Sequence, residues 1–444
     1  MTGDLKPYPA MKDSGVPWLG EVPGHWEVPR LGTLLRERGE TNDDGEIRDV
    51  LSVVKDRGVI PYAERGSMGN KPSEDITRYK IVRPDDIVVN CMNVIIGSVG
   101  SSRYTGCLSP VYYVLTPRSP EDDPRYLNAY FQTRPFQQSL VRIGKGILAH
   151  RMRIPMELMK CEPFPKPPAE EQTSIVRYLD YIDRRVQRYV RAKQKLIELL
   201  EEQKQAIIHR AVTRGLDPHV RLKPSGVEWL GDVPEHWEVR RLKTLCSMKS
   251  GDGITAMSIE PSGEFPVYGG NGVRGYAADF THDGEFALIG RQGALCGNVH
   301  IARGRFWASE HAVVASLRSE HSLEWFASIL EVMNLNQYSI AAAQPGLAVE
   351  RVLNLWMPVP PPQEQIAITA HIADSTAYID TTIARAKREI GLLNEYRTRL
   401  IADVVTGKLD VREAAASLPD EPEAPDEVHN LMDEFEARPE EEEV

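Results

Sequence analysis

The sequence has no run of eighteen apolar residues, which excludes by pattern a helix that crosses a membrane. Its start, MTGDLKPYPA, lacks the charged-then-apolar pattern of a secretory leader, so a cytoplasmic protein is expected. Cysteine is scarce: Cys91, Cys107, Cys161, Cys246 and Cys296 are odd in number and none forms a CxxC pair. That spacing argues against both a zinc site and a disulfide frame, and the five read as buried free thiols in a reducing compartment. No GxxxxGK[ST] phosphate loop, HExxH or GxSxG motif occurs, which removes several catalytic classes together. His150, His300 and His311 do not stand at metal-ligand spacing, and no metal ligand is nominated.

Positive charge is also short, but unevenly. The 444 residues carry a net charge of −11, yet residues 413–444 alone hold thirteen Asp or Glu against one Arg. The remainder is close to neutral. A Pro- and Glu-rich terminal stretch with few apolar residues cannot repay its ordering entropy, so residues 413–444 read as an acidic disordered tail.

What is present is a repeat. SGVPWLGEVPGHWEVPRLGTL (residues 14–34) returns as SGVEWLGDVPEHWEVRRLKTL (residues 225–245), with sixteen of twenty-one positions identical. A second repeat follows each copy: PPAEEQ (residues 167–172) and PPQEQ (residues 361–365) each open a segment that aligns without gaps for 46 residues. In the first segment Ile175, Leu179, Ile182, Val186, Leu196, Leu200 and Ile207 lie on a four-three spacing, the seam of a coiled coil. In the second, Ile372, Ile379, Ile383, Ile390, Leu393 and Leu400 make a looser stripe, with Gly391 inside it. Lys193 and Gln203 fall in the first seam and are read as reaching out at its edge.

Helices of this length cannot bury an apolar stripe alone, but two copies can bury each other, and an antiparallel pair is the economical choice. Gly215 is a natural C-cap, and the Pro runs a natural start. Between the repeats lie two divergent stretches that mix β-rich runs with Gly turns. Residues 87–89, 111–115, 286–289 and 312–315 read as strands; residues 124–140 and 322–338 contain short helices. The fold class is α+β: two globules separated by two long antiparallel coiled-coil helices, an internal repeat with approximate two-fold character. The organisation expected is a globule at 1–166, a helix at 167–217, a globule at 218–359, a helix at 360–412, then the tail. Trp18, Trp26, Trp229 and Trp237 read as packing anchors.

Several phrases carry a resemblance over residues 10–412: VYGGNGVRGY (267–276), LIGRQGALCGNVHIA (288–302), FWASEHAVV (306–314), QPGLAVERVLNLWMPVPPPQEQ (344–365) and LNEYRTRLIADVVTGKLDVR (393–412). Weaker ones are RPDDIVVNCMN (83–93) and GCLSPVYYVL (106–115). In this order, twice over, the chain resembles the specificity subunit of type I restriction–modification enzymes. The resemblance implies that each globule is a target-recognition domain reading half of a split double-stranded DNA sequence. It also implies that the helices set the spacing and dock two methyltransferase subunits, with restriction subunits joining the full complex. It implies no catalysis by this chain; S-adenosylmethionine, ATP and Mg belong to the partners. The absence of an Asn/Asp-Pro-Pro-aromatic methyltransferase motif agrees. The rivals are a coiled-coil scaffold that does not bind DNA, and a self-contained DNA-modifying enzyme.

Base readout needs amide and guanidinium groups on turns that reach a groove. In the second globule these are Asn271, Arg274, Arg291 and Gln292, with Arg303 and Arg305 as phosphate contacts. In the first they are Asn90, Asn93, Ser101, Ser102, Arg103 and Tyr104, with a basic cluster of Lys145, His150, Arg151 and Arg153. The target sequence and its spacer are not legible.

Overall fold

The computed structural model describes residues 5–55, 57–66, 71–146, 152–293, 296–318, 321–339 and 346–419. The chain divides into two compact units: residues 1–192 with 388–444, and residues 193–387.

Two long helices, Ala169–Arg214 and Pro362–Val405, each contribute one part to each unit. In the unit of residues 193–387 they run antiparallel: Glu201 meets Lys387 at 3.3 Å, and three residues on, Lys204 meets Asp380 at 2.5 Å. In the other unit Asp183 pairs with Arg397. There Ile175, Ile182 and Val186 share a core with Leu400, Val404 and Val405. The second helix is more regular than its isoleucines suggest. Gln365, Ile368, Thr376, Ile379, Ile383, Ala386, Leu400 and Val404 are all buried, and Ile372, Ile390, Leu393 and Arg397 are half-buried between them. That is a run of three- and four-residue steps, with one pair of consecutive fours at Ile368–Ile372–Thr376, in which Thr, Ala and Arg occupy seam positions. On the first helix Leu179, Leu196, Leu200 and Ile207 are half-buried, and Ile208 is the buried member of the last pair. Gln203 is exposed, as an edge residue should be.

The repeated opening stretch forms the same hairpin in both units. Met11–Asp13 pairs with Glu21–Pro23, and Leu222–Pro224 pairs with Asp232–Pro234. The WLG glycine closes each hairpin with positive φ, +72° at Gly20 and +65° at Gly231. Next come the buried Trp26 and Trp237. Each indole donates to the carboxylate that begins the long helix of its own unit. Trp26 Nε1 lies 2.9 Å from Glu171, and Trp237 Nε1 lies 3.0 Å from Glu364. The preceding histidines join them, His25 at 2.7 Å and His236 at 2.9 Å from the same carboxylates. The neighbouring glutamines, Gln172 and Gln365, are buried. They accept from the backbone N–H of Asp123 and Ser322, and donate to the carbonyls of Pro167 and Pro360. The duplicated His-Trp and Glu-Gln pairs are thus the two halves of one junction, built once per unit. The end of the other long helix packs on it: a Cβ on Gly407 would meet Pro23 and Trp26, and one on Gly215 would meet Glu364 and Trp237.

The divergent stretches also share a plan. One unit has a four-stranded sheet ordered Leu35–Glu37, Tyr112–Pro117, Ile87–Asn90, Val99–Ser101. The other has Cys246–Ser250, Ala312–Leu317, His282–Gly290, Val299–Ala308 in the same order, extended by Phe265–Gly269 and Gly272–Ala277. Helices Pro124–Phe131 and Leu323–Val332 pack against these sheets, and Arg134–Val141 packs on Pro124–Phe131 and on the 3₁₀ turn Val94–Ile96.

Two expectations are corrected. Residues 413–419 do not belong to a disordered tail: Arg412–Ala416 is helical, and Val411 and Ala415 are buried in the core. Residues 420–444 lie outside the described residues. Cys161 is exposed, whereas the other four cysteines are buried.

Candidate nucleic-acid interface

The sheets dictate where the nominated side chains can go. In the second unit, strand His282–Gly290 ends at Gly290, and Arg291 and Gln292 follow on a tethered backbone. Arg291 N–H donates to the His311 carbonyl at 2.8 Å, and its own carbonyl accepts from Leu347 N–H at 3.0 Å. A fixed main chain leaves the half-buried Arg291 and exposed Gln292 side chains to project from a defined point. The turn carrying Asn271 sits on the same spot. A Cβ on Gly270 would lie 3.4 Å from the carbonyl oxygens of both Gln292 and His311, so the turn packs directly against these two backbones. Asn271 Oδ1 accepts from Asn298 Nδ2 at 3.0 Å. Arg274 is exposed and lies across Gly269, where a Cβ would come within 2.3 Å of its Cδ.

Sequence reasoning missed three members of this edge: Asn298, His300 and His311. Strand pairing brings them in, since Gly290 N–H donates to Asn298 and Gly272 faces the His300 imidazole at 3.5 Å. The hairpin register would have found them: a residue opposite a strand end shares its surface.

Arg303 and Arg305, expected as phosphate contacts, stand apart from this edge. They lie opposite Glu285 and Asp283 in the ladder, at the far end of the strand that finishes at Gly290. Seven residues of strand separate Asp283 from Gly290, about 23 Å at 3.3 Å per residue. Their charges are also engaged, Arg305 with Asp283 at 3.0 Å, and Arg303 with Glu285 at 3.2 Å and with Glu324. They do not share the edge with Asn271 and Gln292.

The first unit repeats the arrangement with different side chains. Strand Ile87–Asn90 occupies the position of His282–Gly290, and Cys91 stands where Arg291 does: its carbonyl accepts from Ile154 N–H at 2.9 Å. Asn90 Oδ1 accepts from Met92 N–H at 3.0 Å, which folds the turn and leaves its amide NH₂ available. Asn93 precedes the short 3₁₀ turn Val94–Ile96, and its carbonyl accepts from Ile96 N–H and Ser98 N–H, both at 3.1 Å. Lys145 and Arg153 form an antiparallel bridge next to Cys91, both exposed, so they join Asn90 and Asn93. His150 and Arg151 lie outside the described residues.

Ser101, Ser102, Arg103 and Tyr104 fall elsewhere. Ser101 pairs with Ile87, the opposite end of the strand from Asn90. Ser102 is buried; its hydroxyl donates to the Tyr104 carbonyl at 2.9 Å and accepts from Tyr104 N–H at 3.1 Å. It serves the turn and is corrected as a base contact. Arg103 and Tyr104 remain exposed.

A groove of about 1190 Å³ separates the Asn298–His300 edge from the long helices of the second unit. Its walls carry Glu198, Glu201, Glu202, Glu331 and Asp380. Burial pushes the Glu331 carboxyl up and the His300 imidazole down. Lys204 and Lys387 line the same groove and pair with Asp380 and Glu201, which leaves Glu198, Glu202 and Glu331 as its acidic balance. Among the described residues no group of three or more His, Cys, Asp or Glu is placed to hold a metal ion, and no helix is long and apolar enough to cross a membrane.

Residues 234–390, which include this edge, match the family model of the type I restriction modification DNA specificity domain. By that stretch the chain is similar to type I specificity subunits, and it spans well under half the length of the curated relative it matches at 44% identity. It is 44% identical over 153 residues to the type I restriction enzyme EcoprrI specificity subunit of Escherichia coli, a match that spans 34% of this chain and 38% of that relative. It is 22% identical over 431 residues to the MjaVIII specificity subunit of Methanocaldococcus jannaschii, across 88% of this chain and 94% of that one. Among solved structures, a chain from a study of complex assembly and conformational transition of the type I R-M system aligns with 87% of this chain. That alignment covers 99% of the solved chain, with a TM-score of 0.62 at 16% identity, a likeness of fold.

Proposed function

We propose that this chain is the DNA-reading, non-catalytic subunit of a type I restriction–modification assembly. Each globule reads one half of a bipartite double-stranded target, and the paired helices hold the half-sites at a set spacing. The observation that carries the reading is the repeated junction: His-Trp and Glu-Gln are kept in both units, while the loops after Asn90 and Gly290 differ. A constant frame with two dissimilar edges suits two different half-sites. Asn271, Arg291 and Gln292 are the base-reading groups of one edge; Asn90, Asn93, Lys145 and Arg153 serve the other.

The helices also present apolar side chains to solvent: Tyr378 is 79% exposed, Ile366 65% and Leu392 58%. Such residues support docking of methyltransferase subunits, which would bring S-adenosylmethionine, while restriction subunits would bring ATP and Mg. Outside residues 413–444 the chain is close to neutral, so partner subunits supply much of the phosphate neutralisation. The chain alone should bind DNA weakly and the assembly tightly.

The test is methylome sequencing of a host carrying the intact system, with and without Gln292→Ala. One half-site should relax at one position while the other half and the gap stay fixed. An unchanged motif removes Gln292 from the edge, and a motif with no gap removes the two-reader arrangement.

A further inference from the structure

Strands Ile87–Asn90 and His282–Gly290 each end opposite a side chain that steadies a neighbouring hairpin. Asn90 N–H donates to the Ser98 carbonyl at 3.0 Å, and Gly290 N–H donates to the Asn298 carbonyl at 2.8 Å, so Ser98 and Asn298 hold the same place in their units. Ser98 is buried, and its hydroxyl donates to the Val53 carbonyl at 3.3 Å, in the hairpin of Leu51–Val54 with Gly58–Pro61. Asn298 is half-buried, and its Nδ2 donates to Asn271 Oδ1 at 3.0 Å, in the turn between Phe265–Gly269 and Gly272–Ala277. The first bond ends on main chain. The second ends on an exposed carboxamide at the reading edge.

The main chain is held at both ends of that second bond. Asn298 follows the Gly290 contact into the ladder at Val299, which pairs with Ile289. Asn271 stands between Gly270, packed on the Gln292 and His311 carbonyls, and Gly272, which lies on the face of the His300 ring. A Cβ on Gly272 would be 3.5, 3.7 and 3.8 Å from the imidazole Cε1, Nε2 and Nδ1. With its main chain fixed, an asparagine keeps one freedom that matters for readout, the half-turn of its carboxamide. A free carboxamide offers an acceptor and a donor alike. Asn298 takes the acceptor, which turns the NH₂ of Asn271 outward.

Base edges divide by the same polarity. In the major groove guanine and thymine present an exocyclic keto acceptor, whereas adenine and cytosine present an exocyclic amino donor. We propose that Asn298 is a positioning residue that sets Asn271 as a hydrogen-bond donor, so that the second globule reads an exocyclic keto group at one step of its half-site. The inference rests on Asn271 being a base-reading group of this edge.

The experiment uses the assembled complex that contains this chain. Methylome sequencing with Asn271→Ala locates the base pair, and affinities are then measured for duplexes in which the keto or the amino group of that pair is deleted in turn. The unchanged assembly should lose at least about fivefold on deletion of the keto group and little on deletion of the amino group. Asn298→Ala frees the carboxamide and should even out the two losses. Asn298→Asp offers only acceptors to Asn271, so the NH₂ must turn inward and the sensitivity should pass to the amino group. The double change Asn271→Ala with Asn298→Ala should discriminate no less than Asn271→Ala alone. Sensitivity to the amino group in the unchanged assembly, sensitivity that stays on the keto group in both Asn298 variants, or a further loss in the double variant would overturn the role of Asn298 and leave Asn271 at the edge. A motif indifferent to Asn271→Ala would remove Asn271 as a base reader, and this inference with it.

Discussion

Replacing the glycine that follows each long helix by alanine should damage the two units unequally. Gly407 and Gly215 both hold left-handed backbone, at φ +78° and +74°, and a Cβ there costs about 1–2 kcal/mol whatever surrounds it. The surroundings then separate them. At Gly215 the new methyl would sit 3.1 Å from Glu364 Oε1 and 3.2 Å from Trp237 Cζ2, a crowding the glutamate can relieve by a few tenths of an ångström. At Gly407 it would lie 2.2 Å from Pro23 Cδ and 2.7 Å from Cγ, with Trp26 Cζ3 at 3.1 Å. A proline ring has no rotamer to retreat into, so the hairpin itself must move, adding about 1–3 kcal/mol of overpacking. Gly407→Ala should therefore cost about 2–5 kcal/mol against about 1–2 for Gly215→Ala. Urea unfolding gives the order of midpoints, and hydrogen exchange gives the place. Gly407→Ala should speed exchange in residues 20–31 and spare residues 231–242, and Gly215→Ala should do the reverse. Gly215→Asn should lose less than Gly215→Ala, since asparagine tolerates left-handed backbone. Equal costs at the two glycines, or exchange rising in the wrong unit, would refute the junction as the reason both are glycine.

Ile379→Asp should destabilise more than Leu200→Asp by chemical denaturation, because Ile379 is 4% exposed and Leu200 only half-buried; burying an unpaired carboxylate there costs several kcal/mol, or about 3. Glu364→Gln keeps an acceptor for the Trp237 indole but removes the charge that faces both it and His236. It should cost about 1–2 kcal/mol in the same measurement. Burial lowers the pKa of His282 and of His300, so the unfolded chain binds protons first as pH falls below about 6.5; the second unit should lose stability from there downward, and His282→Asn should flatten that part of the Tm–pH curve. Arg303→Gln should change the affinity of the assembled complex for its target far less than Arg291→Gln, because Glu285 and Glu324 already engage Arg303.

The helices were legible because their signal is periodic, and every nominated seam position from Ile175 to Leu400 is buried or half-buried. Their regularity was under-read, since Thr376, Ala386 and Arg397 hold seam positions that a hydrophobic count passes over. The strands at residues 87–89, 286–289 and 312–315 announced themselves through β-branched runs. The interface was legible only in part. Turn composition picks out Asn271, Arg291 and Gln292 as neighbours, but it does not say that Arg303 and Arg305 stand at the opposite end of the strand. Composition does not say which end of a strand a turn closes, and a nine-residue strand puts its ends more than 20 Å apart. Ser102 failed for a related reason: a serine beside a turn bonds its own backbone as readily as it faces outward.

The two junctions differ in a way that follows from connectivity. After Gly215 the chain runs straight through Asp217, His219 and Arg221 into the second hairpin, so helix end and hairpin are covalently joined. After Gly407 no such link exists; the hairpin of that unit begins from the chain's other end. Aligning the two copies of the opening stretch places Tyr8 where His219 stands. The noncovalent junction must bring the two ends together against the entropy that a continuous chain does not lose there. It has extra contacts that do this: Lys6 bridges Asp410, Tyr8 donates to Glu171, and Arg412 covers the Tyr8 ring. Burial, with the hydrogen bond to Glu171, pushes the Tyr8 hydroxyl well above the usual tyrosine range, so it stays a donor at any physiological pH. The tighter seat of Gly407 on Pro23 belongs to the same set. Where the covalent bond is missing, packing is closer, and that is why the alanine substitution should be felt most at Gly407.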